Sequence, residues 1–164
     1  MGLTLTRAQQ SDKPFLFELR KLTMFEPLAN AGIKMSNSQH MQRVSDFFED
    51  CYIIQLGKKD IGMIKYKDLS WCYEIIQFQI HPNYQGQGYG KSILNQIKEK
   101  AHSETKHISL KVLKGNPAFS LYEKNGFKLM KEDDQEYQME WNHLTGIQIS
   151  TSESSFIGPK NFAP

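Results

Sequence analysis

Apolar and polar residues alternate along Leu3 to Arg7 and again along Glu74 to Ile80, the two-residue period of a β-strand. Two helical stretches lie between them. Ser11-Asp12-Lys13-Pro14 opens the first with a capping side chain and a proline near the first turn, and Phe15, Leu16, Leu19 and Leu22 supply its buried stripe. Pro27, Asn30, Gly32 and Asn37 then predict a broken or looped segment from Met24 to Asn37, before helical spacing returns from Ser38 to Phe48 with Met41, Val44, Phe47 and Phe48 facing in. Cys51–Leu56 and Ile61–Tyr66 read as strands joined by a hairpin turn at Gly57-Lys58-Lys59-Asp60. An Asp68–Trp71 connection leads to the strand 73–80. There Glu74, Ile76, Phe78 and Ile80 fall on one face and Tyr73, Ile75, Gln77 and Gln79 on the other, until Pro82 ends the ladder.

The second half repeats this grammar. A helix over 89–103 carries Ile93, Leu94, Ile97 and Ala101 on one stripe. His107 to Leu113 turns Ile108, Leu110 and Val112 inward as another strand. Asn116 caps a short helix with Ala118, Phe119, Leu121 and Tyr122, which Gly126 closes. Phe127–Lys131 and Glu136–Trp141 form a last hairpin around Asp133-Asp134. The order β-α-α-β-β-β-α-β-α-β-β predicts one α/β (α+β) domain over residues 1–143. The extension 144–164 is rich in Ser, Thr, Gly and Pro and is expected to be flexible, or to add Ile147-Gln148-Ile149 as an edge strand.

The junction after the strand 73–80 carries the chemistry. Gly86, Gly88 and Gly90 bring backbone N–H groups together at the start of the helix 89–103. Unpaired N–H donors at a helix N-terminus favour an anion, so a phosphate or pyrophosphate is the expected ligand. Two common phosphate motifs do not fit. The dinucleotide fingerprint needs glycine where Lys91 or Ile93 stands, and the nucleotide P-loop, which matches at Gly90-Lys91-Ser92, needs glycine where Gln85 stands.

Gln85-Gly86-Gln87-Gly88-Tyr89-Gly90 resembles instead the Q/R-x-x-G-x-G/A pyrophosphate loop of the GNAT superfamily of N-acetyltransferases. A second block, Asn116-Pro117-Ala118 followed by Leu121-Tyr122-Glu123-Lys124-Asn125-Gly126-Phe127, resembles that family's N-x-A-x-x-L-Y-x-x-x-G-F pattern. The resemblance covers most of the chain. It implies a mixed, mostly antiparallel twisted sheet of about seven strands with about four helices, splayed between the fourth and fifth strands. It also implies acetyl-CoA as cosubstrate. The pantetheine arm would lie along the backbone of Phe78, Gln79 and Ile80, and the pyrophosphate would take the N–H groups of Gly86 through Lys91. Ser92 and Asn116 would add contacts.

The resemblance points to Tyr122 as the acid that protonates the departing thiolate; read from the residues alone, it is equally a core aromatic beside Leu121. Glu74 is similar in spacing to the catalytic glutamate of the histone-acetylating branch, and otherwise reads as a strand-start carboxylate at the solvent edge. An apolar setting would raise its pKa toward the working range of a base. Lys111 stands where some peptide N-terminal acetyltransferases carry a glutamate, a departure from that subgroup. The loop Met24–Asn37 is expected to form the acceptor pocket, with Glu26 as a residue that would attract a cationic amine.

Composition narrows the rest. A net charge of +2 with 39% hydrophobic and 23% charged residues is that of an ordinary globular domain and points to neither nucleic acid nor membrane as the main partner. Cys51 and Cys72 stand outside any C-x-x-C motif, and the five histidines lack ligand spacing, so reduced core thiols and no metal are expected. MGLTLTRAQQ has no signal pattern, and a cytoplasmic location is expected. The function read from this is acetyl transfer to the primary amine of a small molecule or peptide, by direct attack in a ternary complex. The alternative is a catalytically silent CoA-binding sensor or interaction module. A homodimer through the last strands or the tail is left open. The acceptor decides whether a base is needed: an α-amine of pKa ~8 is about one-quarter deprotonated at about pH 7.5, whereas a lysine amine near ~10.4 is about one part in a thousand deprotonated.

Overall fold

A computed structural model describes residues 2–146 and contains no ligand. Of the expected extension 144–164, residues 144–146 belong to a 3₁₀ turn, His143–Gly146, and the rest, with the alternative edge strand Ile147-Gln148-Ile149, lies outside the described residues. Among these, seven strands form one sheet: β1 (Leu3–Arg7), β2 (Cys51–Leu56), β3 (Lys59–Asp68), β4 (Cys72–Ile80), β5 (His107–Leu113), β6 (Lys128–Glu132) and β7 (Glu136–Trp141). Their order is β1-β2-β3-β4-β5-β7-β6, and every neighbouring pair is antiparallel except β4–β5. Four helices cover the sheet: α1 (Lys13–Asn30), α2 (Asn37–Ser45), α3 (Tyr89–Ser103) and α4 (Ala118–Lys124).

Two apolar clusters divide along the sheet's two faces. Ile93, Leu94, Ile97 and Ala101 of α3, with Tyr122 of α4, pack on Ile54, Ile64, Ile75, Leu110 and Met139. On the other face Leu16 and Leu19 of α1 and Val44 of α2 pack on Cys51, Ile53 and Met63. Cys51 and Cys72 are both buried free thiols, and burial pushes each up to about 11.

The expected break at Met24–Asn37 falls later than the sequence signals place it. α1 continues through Pro27, whose ring removes one helical N–H only a turn before the end. The helix stops at Gly32, which takes φ +71. Ile33 N bonds Leu28 O at 2.9 Å and Gly32 N bonds Ala29 O at 3.0 Å, the paired closure of a Schellman motif. Leu22, expected in the stripe, is 54% exposed, while Arg20 takes a buried place on that helix at 5%.

α2 is shorter than the predicted 38–48. Ser36 Oγ accepts from Gln39 N and Gln39 Oε1 accepts from Ser36 N, a capping box that starts the helix. It ends at Ser45 because the chain turns at Asp46 and enters a left-handed residue at Phe47, which is exposed rather than inward. The Lys65 ammonium, fully buried on β3, holds the helix end by donating to the carbonyls of Arg43, Val44 and Asp46.

One register shift matters most. Lys65 pairs with Gln77 and Tyr66 with Ile75, so Ile76 is an extra, unpaired residue on β4. The bulge resets the alternation. Tyr73, Ile75, Phe78 and Ile80 therefore share the face of the α3 cluster, and the expected set of Glu74, Ile76, Phe78 and Ile80 on one face is corrected.

Candidate active site

Parallel pairing of β4 with β5 runs from Cys72↔His107 only to Ile75↔Leu110. Beyond it, where the bulge at Ile76 bends β4, the strands separate and leave backbone groups without a strand partner. The gap opens into a cleft of ≈ 310 Å³. Its walls are Ile75 to Gln79 of β4, Leu110 to Leu113 of β5, Asn116 and Tyr122 at α4, and Arg20, Met24 and Arg43 from the opposite helical layer.

Of the expected arm-binding residues, Phe78 and Gln79 line this cleft, and Ile80 lies just past it. The Ile80 carbonyl accepts from Gln85 Nε2 at 2.8 Å, so Gln85 ties the glycine loop back to the strand end. Gln87 Nε2 similarly donates to Asn83 O at 3.0 Å.

Pro82–Tyr84 makes a single 3₁₀ turn, and then the loop reverses. Gly86 and Gly88 take φ +73 and +87, values that a side chain resists, and Gly88 is the N-cap of α3. Gly90 sits close for a different reason: a β-carbon there would stand 3.0 Å from the Leu121 side chain, at the contact of α3 with α4, and Leu121 would have to give way. The first bond of α3 is Ser92 N to Gly88 O at 3.0 Å. The N–H groups of Gly86, Gln87, Gly88, Tyr89, Gly90 and Lys91 find no carbonyl within the described residues. They form a run of unspent donors at a helix N-terminus, an arrangement suited to a phosphate. Lys91 is exposed beside it and Ser92 half-buried.

Tyr122 is 5% exposed, with its ring 5.6 Å from that of Phe127. Its carbonyl accepts from Asn125 N and Phe127 N, which closes α4 and sets the ring against the cleft. Among the described residues no group is bonded to its hydroxyl, and burial pushes the phenol well above its ordinary value, so it is protonated throughout the neutral range. Asn116 Oδ1 accepts from Ala118 N at 2.9 Å; its side chain starts α4 as well as facing the cleft.

Glu74 stands apart from this group. It is paired in register with Lys67 of β3 and Ser109 of β5, on the face away from α3, and is not among the cleft-lining residues. Glu26 is exposed on α1 and also lies outside the lining. Lys111 lines the cleft from β5.

Arg20, Arg43 and Glu136 line the cleft without having been singled out in the sequence. Arg20 did leave a trace there: it follows Leu16 by one helical turn, a charged residue on an apolar stripe. Arg43 and Glu136 left none. No helix among the described residues is long and apolar enough to cross a membrane, and no group of three or more His, Cys, Asp or Glu among them is placed to hold a metal.

Residues 48–129, half of the chain, match the family model of the acetyltransferase (GNAT) domain. This segment holds β2 through α4 and so contains the glycine loop, the split and Tyr122. Solved structures similar in fold include PaiA N-acetyltransferase from Thermoplasma acidophilum in complex with coenzyme A. It is 21% identical at a TM-score of 0.67, over 87% of this chain and 99% of that one. An acetyltransferase from Thermus thermophilus is 18% identical at 0.71, over 87% and 97%. The ribosomal-protein-S18-alanine N-acetyltransferase from Escherichia coli is 15% identical at 0.64, over 86% and 94%. No curated protein sequence matches.

Proposed function

This chain belongs to the GNAT acetyltransferase family, and we propose that it moves the acetyl group of acetyl-CoA to a primary amine by direct attack in a ternary complex. The observation that carries this reading is the split between β4 and β5, with the unspent N–H run of Gly86–Lys91 at its end and Tyr122 among the residues of its wall. The backbone of Phe78 to Ile80 holds the amide-bearing arm. The loop from Gln85 to Gly90, with Lys91 and Ser92, holds the pyrophosphate, and Asn116 faces the arm from the other side. A neutral amine adds to the thioester carbon, the C–S bond breaks, and Tyr122 hands its proton to the sulfur as charge develops there. Burial keeps the phenol protonated before attack but also makes it a weaker acid than the thiol it forms, so the transfer proceeds only coupled to the loss of the amine's own proton. The amine loses its own proton to solvent, which restores the phenol. Glu74, outside the cleft, takes up the role of base only by way of solvent.

Release of free thiol from acetyl-CoA, measured against a panel of amines, tests the reading, with calorimetric titration of CoA alongside. Turnover with any amine supports it. CoA binding without turnover would favour the sensor alternative, and absent CoA binding would overturn the loop assignment. Tyr122→Phe is expected to keep CoA affinity and to lower kcat by about 10²–10⁴-fold, the usual contribution of a positioned acid.

A further inference from the structure

Among the described residues, Arg20 is a buried cation without a counter-ion: it is 5% exposed on α1, in the cleft wall. Within those residues its Nη2 meets the Met35 sulfur at 3.6 Å, a weak acceptor, and its Nε is buried with no partner. The Arg43 guanidinium shares the cleft wall and likewise makes no ion pair among the described residues. Burial, and then the charge of Arg43, bring Arg20 down to about 10, which still leaves it charged at neutral pH.

Among the described residues no carboxylate pairs with either arginine. Glu18, on the same helix, is paired with Lys21 at 3.5 Å. Glu136 lines the cleft from β7 but pairs with neither arginine. His40 of α2 is 8% exposed, and burial followed by the charges of Arg20 and Lys21 lowers its pKa, so it is neutral. Its Nδ1 is also buried without a partner. A charged group desolvated in this way costs free energy unless something pairs with it. Two guanidiniums sharing one wall match the forked geometry of a carboxylate or a phosphate.

We propose that the acceptor is a small molecule carrying an anionic group, carboxylate or phosphate, besides its amine, and that Arg20 and Arg43 hold that anion while the amine faces the split. The proposal rests on the acetyl-transfer reading above and names its substrate class. The pyrophosphate of CoA does not compete for the arginines, since its loop belongs to α3 on the other face of the sheet. The cleft of ≈ 310 Å³ is at the lower end for ligand pockets and is shared with the CoA arm, which leaves room only for a small acceptor. A polycationic amine is disfavoured by the same charges.

The test uses amine pairs that differ in the anion, compared at equal concentrations of neutral amine because the anion also raises the amine pKa, with the protein saturated in CoA or acetyl-CoA: glycine against glycinamide, and O-phosphoethanolamine against ethanolamine. Spermidine is the cationic control. Melting shifts read binding, and thiol release reads turnover. The anionic member of at least one pair is expected to raise the melting temperature and to exceed its twin in kcat/KM by about 10- to 100-fold, the scale of a charged hydrogen bond. Which pair responds distinguishes carboxylate from phosphate. Arg20→Met and Arg43→Ala are each expected to abolish the preference and leave CoA affinity within about twofold. Because it removes an unpaired buried charge, unliganded Arg20→Met should melt above the wild type; a merely structural arginine would give the opposite. Arg43 is exposed, so its variant keeps the test open if Arg20→Met does not fold.

CoA binding with no response to either anionic probe, or a preference for the neutral twins or spermidine, would overturn the anion assignment and leave acetyl transfer standing. Failure to bind CoA would overturn the acetyl-transfer reading and the assignment with it.

Discussion

Lys65→Met tests how the acceptor side of the cleft is held in place. A helix leaves its last four carbonyls without intrahelical donors, and α2 points that end into the sheet. Lys65 Nζ lies 2.9 Å from Arg43 O and 3.1 Å from Val44 O, and also reaches Asp46 O. Three carbonyl acceptors need three donors, so the group is an ammonium, although burial lowers its pKa. Methionine matches the stem in length and supplies no donor. Arg43 O keeps a bond from Gln77 Nε2 at 3.0 Å, while the carbonyls of Val44 and Asp46 lose this donor. Each buried orphan costs about 1–3 kcal/mol, and the ammonium's own desolvation cost is recovered in part, so a net loss of about 2–4 kcal/mol is expected. That is a large part of a typical domain's ~5–15 kcal/mol. Urea unfolding of both proteins measures it. Since α2 carries Arg43, the KM for the acceptor should rise, while CoA affinity holds because its loop belongs to α3. A stability change below about 0.5 kcal/mol would refute the reasoning, because desolvation of the ammonium would then cancel its three bonds.

Other predictions follow from single residues. Gly88→Asp places a carboxylate at the N-cap of α3, where φ is +87, and should weaken CoA binding by at least about tenfold in titration calorimetry; unchanged affinity would remove the loop from the site. Burial raises Glu140 from 4.5 to about 7. The folded state therefore holds that proton more tightly than the unfolded chain, and the resulting stability is complete below about pH 4.5 and lost as pH rises through about 7. Glu140→Gln should accordingly be neutral at about pH 4 and stabilising by about 1–2 kcal/mol above about pH 7, a figure reduced for the group's partial exposure. A pH-independent effect in urea titrations would contradict it. Glu74→Gln should leave the pH–rate profile of an α-amine acceptor unchanged within about twofold, since about a quarter of such an amine is already neutral near pH ~7.5. Loss of an acidic limb in the variant would instead place Glu74 in the proton path.

Much of the fold is readable from neighbours in sequence because it depends on them. The stripe of Ile93, Leu94, Ile97 and Ala101 locates α3, whose observed span, Tyr89–Ser103, matches the expected 89–103. The alternation of Ile108, Leu110 and Val112 locates β5 and its buried face. The glycines at 86 and 88 declare left-handed backbone before any partner is known, because their own φ demands it. Helix periodicity, turn chemistry and loop composition are short-range properties, and the amino-acid order alone determines them.

What the order leaves undecided depends on contacts made across the chain. Ile76 reads as one step in a regular alternation, and only the pairing of β4 with β3 makes it a bulge that returns Phe78 to the face of Ile75 and separates Glu74 from both. Pro27 reads as a stop, yet buried Pro27 and Leu28 carry α1 to Asn30 and so extend the cleft wall. Arg20 and Arg43 belong to different helices with different local patterns, and folding alone brings them to one wall. Local chemistry thus specifies the elements and the glycine loop. The helical side of the cleft is decided by strand register and helix packing, since these set which distant charges share one wall.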